Sequence, residues 1–205
     1  MTNPDQPVDH AASPTPYLDS ETLSFFEQRA SQSKCYLEYG CGGSTVHAIQ
    51  KARIPSIISV ESDKEWRQKV LDSVQLQSPD QLRLEHCDIG PVGAWGVPID
   101  QSHIRNYWRY SCLPWQIARN HNLSPDFVMI DGRFRVASFL YSLISCKDGT
   151  TILFDDYYDR PSYHTVEQFC EPPQKVGRAA VFESASRYEF PAIAAKLAEF
   201  SIVPG

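Results

Sequence analysis

From about residue 20 onward, short apolar runs alternate with segments whose apolar residues recur every third or fourth position, a pattern that predicts strands alternating with helices. Residues 21–30 read as a helix with Leu23 and Phe26 on one face, and 35–39 as the first strand. A helix over 44–52 leads to a short apolar strand at 56–60. A helix over 64–74 then places Trp66, Val70 and Val74 together. Strands follow at 82–86 and 127–130. The helix at 133–145 carries a stripe of Val136, Phe139, Leu140 and Leu143. A fifth strand at 151–154, a helix at 161–169 opened by Pro161, a short strand at 179–182 and a helix at 191–200 complete the pattern.

Such alternation predicts an α/β fold: a single domain with a doubly wound, mostly parallel sheet and helices on both faces. Ligands of such sheets bind beyond the carboxyl ends of the strands, at the topological switch point. The domain is expected over residues 19–205, after a polar, proline-bearing arm at 1–18 that reads as disordered. Residues 89–125 interrupt the alternation. They combine Pro91, Pro98 and Pro114 with Trp95, Tyr107, Trp108, Tyr110 and Trp115, as either a satellite core or an aromatic lid.

Composition narrows the function. The 205 residues carry a net charge of −6 and no basic stripe, which argues against nucleic acid or an anionic membrane as partner. No apolar run is long enough to span a bilayer. The cysteines at 35, 41, 87, 112, 146 and 170 form no Cys-x-x-Cys pair, so zinc is not expected. Four of the six sit in or beside apolar runs, which suits reduced thiols in the cytoplasm.

The chemistry concentrates at strand ends. Cys35-Tyr-Leu-Glu-Tyr-Gly-Cys-Gly-Gly-Ser-Thr45 runs from an apolar strand through an acid and glycines into a helix. Gly40 and Gly42 allow a tight turn and close approach of a ligand, and the helix start offers unpaired N–H groups. Glu38, Glu61, Asp88, Asp131, Asp155 and Asp156 all stand at or just past strand ends. Any one of them could be a turn or cap residue, but acids at five consecutive strands are a pattern. In a dinucleotide fingerprint the third glycine would fall at Thr45, which weakens an NAD-linked oxidoreductase as an alternative.

The motif Glu38-x-Gly40-x-Gly42-Gly43-Ser44 resembles the first motif of class I S-adenosylmethionine-dependent methyltransferases. That resemblance implies a Rossmann-like methyltransferase fold and a cofactor site of Glu38, Gly40, Cys41, Gly42, Ser44, Thr45, Glu61, Asp88 and Ile89. Glu61 would accept the ribose hydroxyls, and Asp88 and Ile89 would meet the adenine unless Asp88 is only a turn residue. Little after Phe182 signals the family's final antiparallel strand pair, which leaves open a sheet shortened at its C-terminal edge. Phe127-Val-Met-Ile-Asp131-Gly-Arg133 and Ile152-Leu-Phe-Asp155-Asp156-Tyr resemble metal-dependent O-methyltransferases of the catechol and macrocin types.

The second resemblance implies magnesium held by Asp131, Asp155 and Asp156, and methyl transfer to a hydroxyl of a small molecule or sugar. The three acids could equally serve as turn and cap residues. The catechol-type lysine base is replaced by Phe134. Asp131, Arg133 and His164 are left as candidate catalytic residues, with His164 open between base and helix-terminal surface residue. The missing lysine also keeps a non-catalytic module of the same fold in play. Oligomeric state is not legible.

Overall fold

The strand β1 (Cys35–Tyr39) is buried at every position, as an apolar run flanked by strands on both sides should be. It pairs in parallel with β2 (Ser56–Glu61) on one side and β4 (Phe127–Ile130) on the other. β3 (Leu82–His86) extends the sheet beyond β2, and β5 (Thr151–Phe154) extends it beyond β4, both in parallel. β6 (Gln174–Val176) and β7 (Ala179–Glu183) form a hairpin whose second strand runs antiparallel to β5. The order is β3-β2-β1-β4-β5-β7-β6. This computed structural model describes residues 16–186 and 188–205. Up to residue 15, the arm expected at 1–18 lies outside the described residues.

The sheet is not shortened at its C-terminal edge. Its antiparallel pair ends at Glu183 instead of beginning after Phe182. β6 escaped notice because three residues, Gln-Lys-Val, are too few and too polar to show a period.

Helices α1 (Ser20–Ala30), α2 (Gly43–Gln50) and α3 (Lys64–Ser73) pack on one face, around Phe26, Tyr36, Ile49, Ile57 and Phe127. Asp19 caps α1 by accepting the N–H groups of Glu21 and Thr22 at 3.0 and 3.1 Å. Asp63 caps α3 in the same way at 2.9 and 3.0 Å. Helices α4 (Trp108–Asn120), α5 (Arg135–Ser145) and α6 (Phe190–Phe200) form the other layer, around Leu37, Tyr39, Tyr110, Phe139 and Phe154. Strand alternation splits β1 between the two cores, with Tyr36 on the first and Leu37 and Tyr39 on the second.

The segment 89–125 holds two short 3₁₀ turns, Ala94–Gly96 and Ile104–Asn106, and then α4. The helix was invisible in the pattern because Pro114, an ordinary helix breaker, lies inside it. Tyr107, Tyr110 and Trp115 belong to the main core, whereas Trp95 and Trp108 are 64% and 53% exposed. The expected helix at 161–169 is a 3₁₀ helix, Pro161–Gln168. Among the described residues, no helix is long and apolar enough to cross a membrane.

The α5 stripe is buried as expected, and Phe139 is its centre. Its ring lies 5.7 Å from that of Phe154 and 4.7 Å from that of Phe182, so it joins α5 to β5 and β7. Phe139→Ala is expected to lower unfolding stability by about 3–5 kcal/mol, read from urea denaturation midpoints.

Candidate functional site

Parallel register assembles the rim. Tyr39 stands opposite Val60 and Ile130, and Ile130 opposite Phe154. The next residues, Gly40, Glu61, Asp131 and Asp155, therefore end in one row. The chain leaves β1 toward β3 and returns at β4, so the β1–β4 boundary is the switch point. Here Gly40, with φ of +86°, lies against Gly132, and a Cβ on Gly40 would come 2.8 Å from the Gly132 Cα. A Cβ on Gly132 would overlap the Tyr110 hydroxyl.

Glu38 is wholly buried and held by hydroxyls. Tyr36 donates to it at 2.9 Å, Ser44 at 2.8 Å, and Thr45 donates to its other oxygen. Thr45 also accepts the Gly42 N–H at 2.9 Å. The acid thus ties β1 to the first turn of α2 and sets the shape of the glycine turn. Burial pushes its carboxyl up to about 7, against the pull of those hydroxyls.

Glu61 is held by backbone. It accepts N–H groups from Ser62 at 2.7 Å, Asp63 at 2.9 Å and, across the rim, Cys41 at 3.2 Å. Burial raises its carboxyl too, opposed by these donors. The Cys41 carbonyl accepts from the Trp66 indole at 2.7 Å. The 89–125 segment closes over Glu61, because the Ser62 hydroxyl donates to the Gly96 carbonyl at 3.0 Å. Asp88 is exposed and accepts the Gly90 N–H at 2.9 Å, while Ile89 is buried in the core. The structure therefore joins Glu38, Gly40, Cys41, Gly42, Ser44, Thr45 and Glu61 in one network. Asp88 stands apart from that network in its own turn.

Asp131, Asp155 and Asp156 do converge, with one oxygen of each within 4.8 Å of the others. Three guanidiniums meet them. Arg135, nearly buried, pairs with Asp131 at 3.0 Å and with Asp156 at 3.2 Å. It also donates to the backbone carbonyls of Gly132 and Asp155 at 3.0 and 2.9 Å. Arg178 grips fully buried Asp155 through both oxygens, at 2.9 and 2.6 Å, and reaches Asp156 at 3.1 Å. Arg160 pairs with Asp156 at 3.4 Å. This donor set does not fit a divalent cation, because the oxygens it would need already face fixed positive charge. Desolvation of its inner side and the neighbouring Asp155 and Asp156 charges push the Asp131 carboxyl up, though the side chain is one-third exposed, and Arg135 opposes them.

His164 lies with the 3₁₀ helix, its ring stacked 4.8 Å from that of Tyr157, and no hydrogen bond or ion pair joins it to the trio among the described residues. Arg133 follows Gly132 on the rim, and its Nε is buried without a partner. The Tyr110 hydroxyl is also buried, with no acceptor for its own proton among the described residues. Sequence reasoning missed Tyr110, Arg135 and Arg178 as site residues. Arg135 had a signal, the four-residue spacing from Asp131 at a helix start. Arg178 had none, since the β6–β7 turn brings it in from the far end of the chain.

The strand order, the glycine turn and the registered row of acids define a domain of the class I methyltransferase type. No family model matches the chain, and no curated protein is significantly similar to it in sequence. Among solved structures, a methyltransferase-like protein from Silicibacter pomeroyi is 31% identical, with a TM-score of 0.82 over 94% of this chain and 100% of that one. This chain belongs to that methyltransferase-like family. A candidate O-methyltransferase from Klebsiella pneumoniae (17% identity, TM-score 0.51, covering 83% of this chain and 84% of that one) shares the fold. So does a candidate caffeoyl-CoA O-methyltransferase from Staphylococcus aureus (13% identity, TM-score 0.54, covering 83% and 86%).

Glu38 leaves a signature in pH dependence. Its folded carboxyl titrates near 7 against an ordinary 4.5, so the folded chain holds the extra proton between those values. Stability contributed by this group is full below about 4.5 and is lost as pH rises toward about 7, by about 1.4 kcal/mol per unit. Glu38→Gln should flatten that part of the profile, measured as urea midpoints from pH 4.5 to 8.

Proposed function

We propose that the chain binds S-adenosylmethionine along the rim from the Gly40–Gly42 turn to Glu61 and Asp131, and methylates a hydroxyl of a small molecule or sugar. The observation that carries the cofactor half is a pair of buried donors without acceptors. The Tyr110 hydroxyl rests on Gly132, and the Arg133 guanidinium, whose Nε is unpartnered, lies within electrostatic reach of it and of Asp131. An unsatisfied hydroxyl donor against Gly132, with a guanidinium charge within electrostatic reach, suits a carboxylate such as that of the methionyl group. In this reading Glu61, bonded to the Cys41 N–H, would accept the ribose hydroxyls.

When bound, the cofactor supplies an electrophilic methyl group on sulfur. The chain's part is to position the acceptor and take its proton. Asp131 suits that role: its side chain is 34% exposed, Arg135 engages one of its oxygens, and the other has no bonded partner among the described residues. Arg135 fixes its orientation from a buried position. The six thiols are all free and four are buried, which supports the reducing cytoplasmic setting read from the sequence.

A non-catalytic role is a second reading, favoured by the complete engagement of Glu38 with its own hydroxyls and by the Gly96 turn lying on Ser62. Radiolabelled cofactor incubated with a panel of hydroxylated small molecules separates the two, since transfer to any of them ends the second reading.

Calorimetry with S-adenosylhomocysteine should show saturable binding, and no heat at millimolar ligand would defeat the proposal. Tyr110→Phe should weaken that binding by about 1.5–3 kcal/mol, yet leave the unliganded chain at least as stable, because an unsatisfied buried hydroxyl is removed. Asp131→Asn should cut the rate of transfer by about 10²–10⁴-fold with ligand affinity retained. An equal loss of affinity would make Asp131 a binding residue instead.

A further inference from the structure

We propose that Arg135, Arg160 and Arg178 take the place of a divalent cation in the Asp131–Asp155–Asp156 cluster, so that this domain operates without a metal at its carboxylate trio. The inference rests on how the oxygens are spent. Both oxygens of Asp155 face Arg178, at 2.9 and 2.6 Å. One oxygen of Asp156 faces Arg178 at 3.1 Å, and the other faces Arg135 at 3.2 Å and Arg160 at 3.4 Å. One oxygen of Asp131 faces Arg135 at 3.0 Å. Five of the six carboxylate oxygens are thereby engaged, and three negative charges meet three positive ones.

An arginine cannot yield its proton to make room for a cation, so a dication entering here would leave the cluster strongly positive. Nor are Arg135 and Arg178 free to swing aside. Arg135 is anchored to the Gly132 and Asp155 carbonyls at 3.0 and 2.9 Å. Arg178 donates to the Tyr17 carbonyl at 2.7 Å, and its backbone N–H reaches Asp19 at 3.1 Å. A small hard cation needs several oxygens converging near 2.1 Å. Here the same carboxylates, with one oxygen of each within 4.8 Å of the others, are taken up by planar, forked donors instead.

The cluster gains a role that an ion would not give it. It joins the ends of β4 and β5, the start of α5, the β6–β7 turn and residues 17–19. The rim that carries Asp131 is thereby fixed by the chain itself.

The test is a titration of the full chain with Mn²⁺ alone, followed by the electron paramagnetic resonance signal of the free ion. It needs neither cofactor nor acceptor, so its outcome is separate from that of the methyl-transfer reading. No saturable binding is expected up to about 1 mM, the weak end for carboxylate cation sites. Arg178→Gln, which uncovers Asp155, should acquire Mn²⁺ binding and a melting temperature that rises with Mn²⁺. Saturable binding by the unaltered chain that disappears in Asp155→Asn would overturn the proposal, as would an Arg178→Gln protein that folds but gains no cation affinity. Should Arg178→Gln fail to fold, the titration of the unaltered chain decides alone: silence up to about 1 mM supports the proposal, and saturable binding that Asp155→Asn abolishes overturns it.

Discussion

The contact between Gly40 and Gly132 governs the rest of the rim. Each follows a central strand, β1 or β4, at the point where the chain reverses its direction of travel through the sheet. A Cβ on Gly40 would lie 2.8 Å from Gly132 Cα, so any side chain there would force the two turns apart. Because they touch, the glycine turn with its attached Glu61 and the arginine-braced Asp131 stand side by side on the rim. Tyr110 reaches this contact from α4, with its hydroxyl against Gly132, so a helix outside the simple strand–helix alternation bears on the rim.

The rim carboxylates are stabilised in three chemically different ways. Hydroxyl groups surround Glu38, backbone N–H groups surround Glu61, and guanidiniums surround the trio. Hydroxyls and amides bring partial charges only, and burial outweighs them, so both glutamates are pushed toward their protonated forms. Guanidiniums bring full opposite charge and let Asp155 be completely buried. A single strand-end acid pattern therefore conceals residues with distinct physical roles: Glu38 shapes a turn, Glu61 couples two turns, Asp155 anchors a brace, and Asp131 is held by Arg135 through one oxygen.

Much of the framework was legible in the residues. The strands at 35–39, 82–86, 127–130 and 151–154 stand where the apolar runs put them, and the Phe139 stripe lies inward. The hidden pieces share a cause. α4 contains Pro114, and its conformation is held by packing of Tyr110 and Trp115 on the sheet, which local propensity does not report. β6 exists because β7 pairs with it. The Tyr110 hydroxyl, with no acceptor for its proton, becomes notable only when it is known to be buried.

The order of apolar and polar residues by itself determined a doubly wound sheet with acids along one edge, because strand and helix periodicities and strand-end turns are local properties of the chain. Only the tertiary structure decided what those acids do. Their charge partners, Arg135 and above all Arg178, are delivered by helix starts and hairpin turns distant in sequence. The energy of a buried carboxylate depends on which donor stands about 3 Å away, a quantity that sequence spacing does not encode.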